Sequence, residues 1–453
     1  MNKSNQKFNQ NFRWTLTGSL FYEIFKSLHN FLLLNILQSA LYGMLGGFIS
    51  SIFMIVRITD IGLTNSIAPF IKEATDSRQA FKDIILKYYL LLHIPVQIIA
   101  LCCLPMFTSK FLHINLSLNL FILVSLIIIT ETLRSFARLV LHTTFKSRIT
   151  VAIELTSFTI YLLGIWVPII IFHSKPTITS LLLPLLADSL FSLIFLTIII
   201  IKQIYLPLKK SLSYPFAKIR NRIIKTRLIN SILRLSRELF NSNFLTPFFI
   251  AKFGLQQAGI FFFAGSLSNS MLAIFRSTMN YPGAALLANL KDAPQHEKKA
   301  AFQLLCQKLT LFIAPPIIFC AINFQLLLKM SKSLNLTQNV LALIGLFLTI
   351  TFSEFFFILY EQFYIVEEAS ARFLGFKFIE FVLFYIFVIK PTQTSIPMAL
   401  ASIIAIKLVT FILIATDAYI TWKIAPVLKS TKKELLIFFI ISFATYFLFL
   451  KLT

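Results

Sequence analysis

Apolar blocks of membrane-spanning length follow one another along almost the whole chain, and no other feature constrains its fold as strongly. About 20 apolar residues carry a helix across roughly 30 Å of hydrocarbon. Such blocks fall near 14–38, 42–70, 84–107, 114–140, 151–173 and 178–204, then near 228–252, 256–289, 302–323, 335–365, 371–390 and 396–422. A shorter, separate block occupies 434–451. The longer ones must tilt or protrude from the bilayer. Nothing alternates with the two-residue period of a strand, so a β-barrel is excluded. The expected fold is all-α and polytopic, with about 12–13 transmembrane helices.

Composition agrees. Of the residues, 57% are apolar and 13% charged, against about 45–50% and about 25% in soluble chains. That excludes a soluble globular enzyme. The 50 Phe, alongside many Ile, Lys and Asn, look like AT-rich coding bias, so a single Phe carries little functional weight. The 42 Lys and Arg exceed the 18 Asp and Glu by a net charge of +24. A nucleic-acid surface would gather that charge on one polar domain. Here it is dispersed between apolar blocks, and no nucleic-acid partner is expected.

The dispersed charge sets orientation instead. With the N-terminus inside, 24 Lys and Arg fall on the inner side of the membrane and 7 on the outer. Basic loops stay cytoplasmic, which places the N-terminus in the cytoplasm. The longest connection, 202–227, is basic and reads as an orientation signal and lobe linker resting on anionic headgroups. The start of the chain, MNKSNQKFNQNFRW, is polar and basic. The block after it is longer than a signal-peptide core, so no cleavable signal is expected. Cys102, Cys103, Cys306 and Cys320 lie in apolar runs without a CxxC or Cys/His spacing, and neither a metal site nor a cofactor is expected.

The two halves of the chain answer each other. Tyr22 to Ser27 matches Arg237 to Ser242, and Gly43 matches Gly259. Ser51, Arg57 and Thr59 match Ser270, Arg276 and Thr278. Further along, Glu131 corresponds to Glu354, Glu154 to Glu380, and KPTITS at 175–180 to KPTQTS at 390–395. The order of these matches, with slowly drifting offsets, indicates a duplication. Each copy holds six helices and so has the same orientation, with a pseudo-axis along the membrane normal. The expected organisation is a cytoplasmic N-terminus (1–13), an N-lobe (14–204), a basic linker (205–227) and a C-lobe (228–425). A basic loop with an extra helix (426–453) follows.

Ionisable side chains inside a span are the best functional markers, because a charge at a helix centre costs at least about 2.5–3.5 kcal/mol. Arg57 and Arg276 are mid-span and are repeat counterparts. Two guanidinium forks converging on one aqueous cavity suit phosphate oxygens. Arg134 and Arg237 are further candidates for binding substrate, and Glu23, Glu238 and Asp60 for a coupling ion. Alternatively, Glu131 and Arg134, three apart, neutralise each other. Arg138, Arg234, Lys377 and Asp417 lie near span ends, where they are expected to snorkel to the interface. His29 is expected to pack or sit at a rim.

The run LQSALYGMLGGFISSIFMIVRITDIGLTNSIAPFIKEA at 37–74 resembles the second-helix region of bacterial polysaccharide flippases. These belong to the multidrug/oligosaccharidyl-lipid/polysaccharide exporter superfamily. The resemblance rests on Tyr42-Gly43 and on Asp60 to Leu63, with the first element echoed by Phe253-Gly254 through Ala258-Gly259. It implies two six-helix lobes around a cationic cavity lined largely by the first, second, seventh and eighth helices. It also implies export of a polyprenyl-diphosphate-linked oligosaccharide across a bacterial inner membrane, by a monomer alongside a glycan polymerase and glycosyltransferases. A cation-coupled multidrug antiporter of the same superfamily is the alternative, although paired arginines suit an anion better. A membrane-embedded polymerase or ligase is disfavoured, because no outer loop is large enough to hold its substrate.

Overall fold

The computed structural model describes residues 3–37, 39–60, 81–82, 90–144, 146–208, 240–279, 294–300, 302–303, 369–390 and 395–424, with individual positions between 346 and 367. The described residues contain no strand. Their helices are α1 (Lys3–Ile36), α2 (Ser39–Asp60), α3 (Leu91–Phe107), α4 (Leu118–Thr143), α5 (Ser147–Ile170) and α6 (Ile178–Ile200). Then come α7 (Ser242–Phe253), α8 (Leu255–Met279), α9 (Ser370–Phe384) and α10 (Ile396–Trp422). Single π turns extend α3 over Thr108–Leu112, α6 over Ile201–Tyr205 and α9 over Tyr385–Ile389. Six of these segments, from Ala40–Asp60 to Met398–Trp422, are long and apolar enough to cross a membrane. The chain is an all-α, multi-pass membrane protein.

The blocks at 114–140, 151–173, 178–204, 371–390 and 396–422 match a helix to within a few residues at both ends. The thirteenth, at 434–451, lies wholly outside the described residues, and most of the ninth, at 302–323, and of the tenth, at 335–365, lies outside them too. Two starts differ: Phe240 and Asn241, inside the block at 228–252, form a turn before Ser242 begins a helix, and α1 is longer than its block. α1 begins at Lys3, well before the apolar block at 14, because Asn, Gln and Lys continue a helix beyond the hydrocarbon without hindrance.

Helix starts follow local chemistry. Ser117 caps α4 by accepting the Leu120 N–H at 3.4 Å. Thr177 and Ser180 form a capping box at α6, each hydroxyl accepting the other's backbone N–H, at 3.2 and 2.9 Å. Both residues lie in the repeated KPTITS string. In its twin, α10 starts after Ser395, which makes no such bond, and carries Pro in its first turn. Asn241 caps α7 through the Asn243 N–H at 3.1 Å.

Surfaces are inverted relative to a soluble protein. Phe21, Ile24, Phe25, Leu28, Leu32 and Ile36 lie exposed along α1, a face that only lipid satisfies. Cys102 and Cys103 are exposed on α3 in the same way. Charged and polar groups are buried inside.

The described chain forms two compact units. The first comprises Met1–Phe25 and Leu37–Phe262, and the second Lys26–Ile36 and Phe263–Thr453. In the first, α4 and α5 pack on α6, and α2 packs against α4 and α7. Gly164 lets α5 approach α6 closely, since a Cβ there would lie 2.8 Å from Pro184. The second unit holds the last third of α1, Lys26–Ile36, against α8, where Asn30 Nδ2 donates to Ser266 Oγ at 2.5 Å. Its α9 and α10 pack on each other. The unit boundaries fall within α1, just after its end and within α8.

Candidate functional site

Helix α2 is enclosed on nearly every side. Tyr42, Leu45, Phe48, Ser51, Ile52, Ile55 and Val56 are all buried. Ala40 is exposed and Leu41, Met44 and Ile58 are half-buried, and so are Ile49, Phe53 and Arg57. Ile49, Phe53 and Arg57 are four residues apart and therefore share one face. This face is apolar at Ile49 and Phe53 and cationic at Arg57. Asp60, one turn on, is buried, and Glu23 on α1 is buried in the same unit. Arg276 lies on α8, in the second unit. Arg237 and Glu238 fall outside the described residues.

Arg134 sits elsewhere. It lies on α4, only 2% exposed, at the centre of a cluster gathered from three helices. Its Nη1 donates to Glu131 at 2.8 Å and to Asp188 on α6 at 2.7 Å. Its Nη2 donates to Ser157 on α5 at 3.4 Å, and its Nε lies 3.8 Å from Glu154. Ser189 donates to Glu131 at 2.5 Å. Arg138, one turn further along α4, pairs with Glu154 and remains part-exposed. Three carboxylates thus face two guanidiniums.

The second unit carries a similar cluster. Lys407 on α10 pairs with Glu354 and lies 2.7 Å from Glu380 on α9. Lys377 pairs with the other Glu380 oxygen at 2.6 Å. The two ammoniums lie 4.0 and 4.8 Å from the Phe357 ring centre, so a cation–π contact shares in holding them. Glu131 and Glu354 are repeat counterparts, as are Glu154 and Glu380. The duplication therefore extends to buried chemistry, although the cations differ: a guanidinium from α4 in one copy, ammoniums from α9 and α10 in the other.

One expectation is corrected here. Lys377 does not snorkel to the interface. It is 1% exposed, because Glu380, three residues on, and Phe357 supply its partners within the protein. Near the end of α10, Asp417 accepts from the Tyr364 hydroxyl at 2.6 Å and lies 4.0 Å from Arg372. His29 is packed, at 3% exposure. Among the described residues, no three His, Cys, Asp or Glu side chains group as metal ligands.

No family model matches the chain, and no curated protein does. Solved structures do. Over 96% of this chain and 91% of the other, it is similar to the lipid II flippase MurJ in its inward closed conformation, with TM-score 0.64 and 11% identity. A MATE structure in complex with MaL6 aligns over 93% of this chain and 99% of that one, with TM-score 0.59 and 14% identity. A transporter of the MOP superfamily from Pyrococcus furiosus, reported with reversed binding-pocket polarity, aligns over 93% and 98%, with TM-score 0.57 and 12% identity. At such identities the shared property is the fold. The chain folds as MATE transporters and MurJ do.

Proposed function

We propose that this chain is a transporter of the MOP superfamily. In this reading it flips a polyprenyl-diphosphate-linked oligosaccharide from the cytoplasmic to the outer leaflet by alternating access. The observation that carries the reading is Arg57, a guanidinium at the end of the half-buried Ile49–Phe53–Arg57 face of α2. Arg57 is half-buried on that face, and its repeat counterpart is another arginine, Arg276. A guanidinium grips diphosphate oxygens bidentately, while Phe53 and Ile49 offer the same ligand apolar contact. The fold shared with the lipid II flippase MurJ supports the class of cargo.

The polyprenyl tail remains in lipid while the headgroup crosses. With the cell interior negative, outward movement of an anion gains about 2.3 kcal/mol per charge per 100 mV. Glu23, Asp60 and Glu238 are the groups proposed to couple that movement to an ion. The protein resides in a bacterial inner membrane with its N-terminus cytoplasmic and works as a monomer. Glycosyltransferases supply its substrate and a glycan polymerase consumes it.

The test is genetic. Arg57→Ala and Arg276→Ala are expected to abolish surface-glycan export while the protein still inserts in the membrane, as read by immunoblot of membranes and glycan staining. Export at the wild-type level in both variants overturns the cavity assignment. The excess of carboxylates in the first-unit cluster favours a second reading, a cation-coupled multidrug antiporter. That reading predicts raised sensitivity to cationic drugs, and normal glycan, when the gene is deleted.

A further inference from the structure

At the inner end of the first unit, four basic side chains stand outside every ion pair of the described residues: Lys82, Lys146, Arg148 and Lys202. Lys82, Arg148 and Lys202 are exposed and Lys146 is half-buried. They flank one apolar cluster, in which Phe81, Leu141, Ile153 and Ile204 pack together. The carboxylates of this unit that do form ion pairs, Glu131, Glu154 and Asp188, are taken by Arg134 and Arg138. In the second unit, by contrast, Lys298 lies 3.1 Å from Glu367 and Arg372 lies 4.0 Å from Asp417.

Arg148 has an aromatic seat instead of an acidic partner. Its guanidinium carbon lies 4.9 Å from the centre of the Trp14 ring. A cation over an aromatic face is held in place while its N–H donors stay available to an oxygen ligand. Helix α1 is seated on α5 beneath this pair. At Gly18, one turn deeper, Val151 fills the space that a Cβ would take. A further turn on, the Tyr22 ring lies 4.6 Å from that of Phe158. Trp14, Gly18 and Tyr22 share one face of α1 at four-residue intervals, and all these residues belong to the first unit.

Their depth follows from the spans. Lys146 lies between the spans Leu118–His142 and Arg148–Ile170, and Trp14 opens the first apolar block. That is the level of the headgroups, where tryptophan is enriched. With the N-terminus cytoplasmic, the leaflet concerned is the inner one, whose surface is anionic.

We infer that Trp14, Lys146 and Arg148 form a binding site for an anionic phospholipid of the inner leaflet. The guanidinium and the ammonium, two residues apart, bind the phosphodiester oxygens, and the indole meets the upper part of the acyl chains. Lys82 and Lys202 add to the field that attracts the headgroup. A lipid bound there lies on the seam between α1 and α5. The inference takes only the cytoplasmic N-terminus from the function proposed above and is independent of the cargo.

The test uses the full chain with Trp166 and Trp422 replaced by Phe, which leaves Trp14 as the sole tryptophan. The protein is reconstituted in phosphatidylcholine vesicles with a small, fixed fraction of brominated lipid, either phosphatidylglycerol or phosphatidylcholine. Bromine quenches only a tryptophan close to it. Brominated phosphatidylglycerol is expected to occupy the place beside Trp14 about tenfold more readily than brominated phosphatidylcholine. Arg148→Gln with Lys146→Gln is expected to bring the two lipids to parity, while quenching by phosphatidylcholine is unchanged because α1 remains in place. Lys175→Gln with Lys390→Gln makes the same change in net charge on outer connections and is expected to keep the preference. Equal quenching by the two lipids in the parent chain overturns the inference. So does a preference that survives in Arg148→Gln/Lys146→Gln or disappears in the outer pair. Loss of the preference to millimolar inorganic phosphate at constant ionic strength would make this a site for a free anion and overturn the lipid assignment. A chain that shows the preference yet exports no glycan retains this site and loses only the proposed cargo.

Discussion

Arg134 illustrates what a charge costs inside this protein. A guanidinium enclosed among Glu131, Asp188, Glu154 and Ser157 is tolerated because its donors are shared among acceptors from three helices. Removing one partner of a buried pair leaves the others uncompensated, at about 3–5 kcal/mol. Arg134→Met is therefore expected to lower the thermal unfolding temperature of the purified protein markedly, and Arg134→Met/Asp188→Asn to recover part of the loss. In the second cluster, Lys377→Met is expected to cost more alone than in combination with Glu380→Gln. An additive result would show that the two side chains do not depend on each other. The local pairs, Glu131–Arg134 and Lys377–Glu380, are both legible in sequence as i, i+3 neighbours. Asp188, 54 residues beyond Arg134, is not, because only the packing of α4 on α6 brings it there.

At the scale of elements, hydropathy locates helices well and their ends less well. It registers the apolar part of α1 but not its polar start at Lys3, since a helix continues past the membrane wherever nothing stops it. It is also blind to the π turns at 108–112, 201–205 and 385–389, which depend on backbone register. Caps are more legible, and the repeated string offers a comparison. Thr177 and Ser180 close a capping box, whereas Ser395 at the start of α10 makes no side-chain bond. Thr177→Ala is expected to destabilise by about 1 kcal/mol, and Ser395→Ala by clearly less, as measured by unfolding of the purified variants. Equal losses would show that the capping box adds nothing to α6. Arg57 was legible in sequence as a mid-span charge, whereas the half-burial of Ile49 and Phe53 on its face was not, because apolar residues occupy the buried faces of α2 as well.

For the whole molecule, the basic excess that would suggest nucleic acid in a soluble chain becomes an orientation signal once it is mapped onto the connections. A cytoplasmic N-terminus is the outcome expected of a reporter fused there: cytosolic activity confirms it, and periplasmic activity would invert every assignment of sides. The duplication was legible from scattered matches, and the paired clusters carry it into buried chemistry. The limits of the two compact units, within α1, just after its end and within α8, were not legible, because they depend on which neighbours each part of a helix packs against. The most direct test of the account is translocation of a fluorescent polyprenyl-diphosphate oligosaccharide by the purified protein in liposomes, read as protection from an impermeant quencher. The account predicts movement by the wild-type chain and none by Arg57→Ala or Arg276→Ala. A wild-type chain that leaves this lipid in place while exporting an organic cation would contradict it.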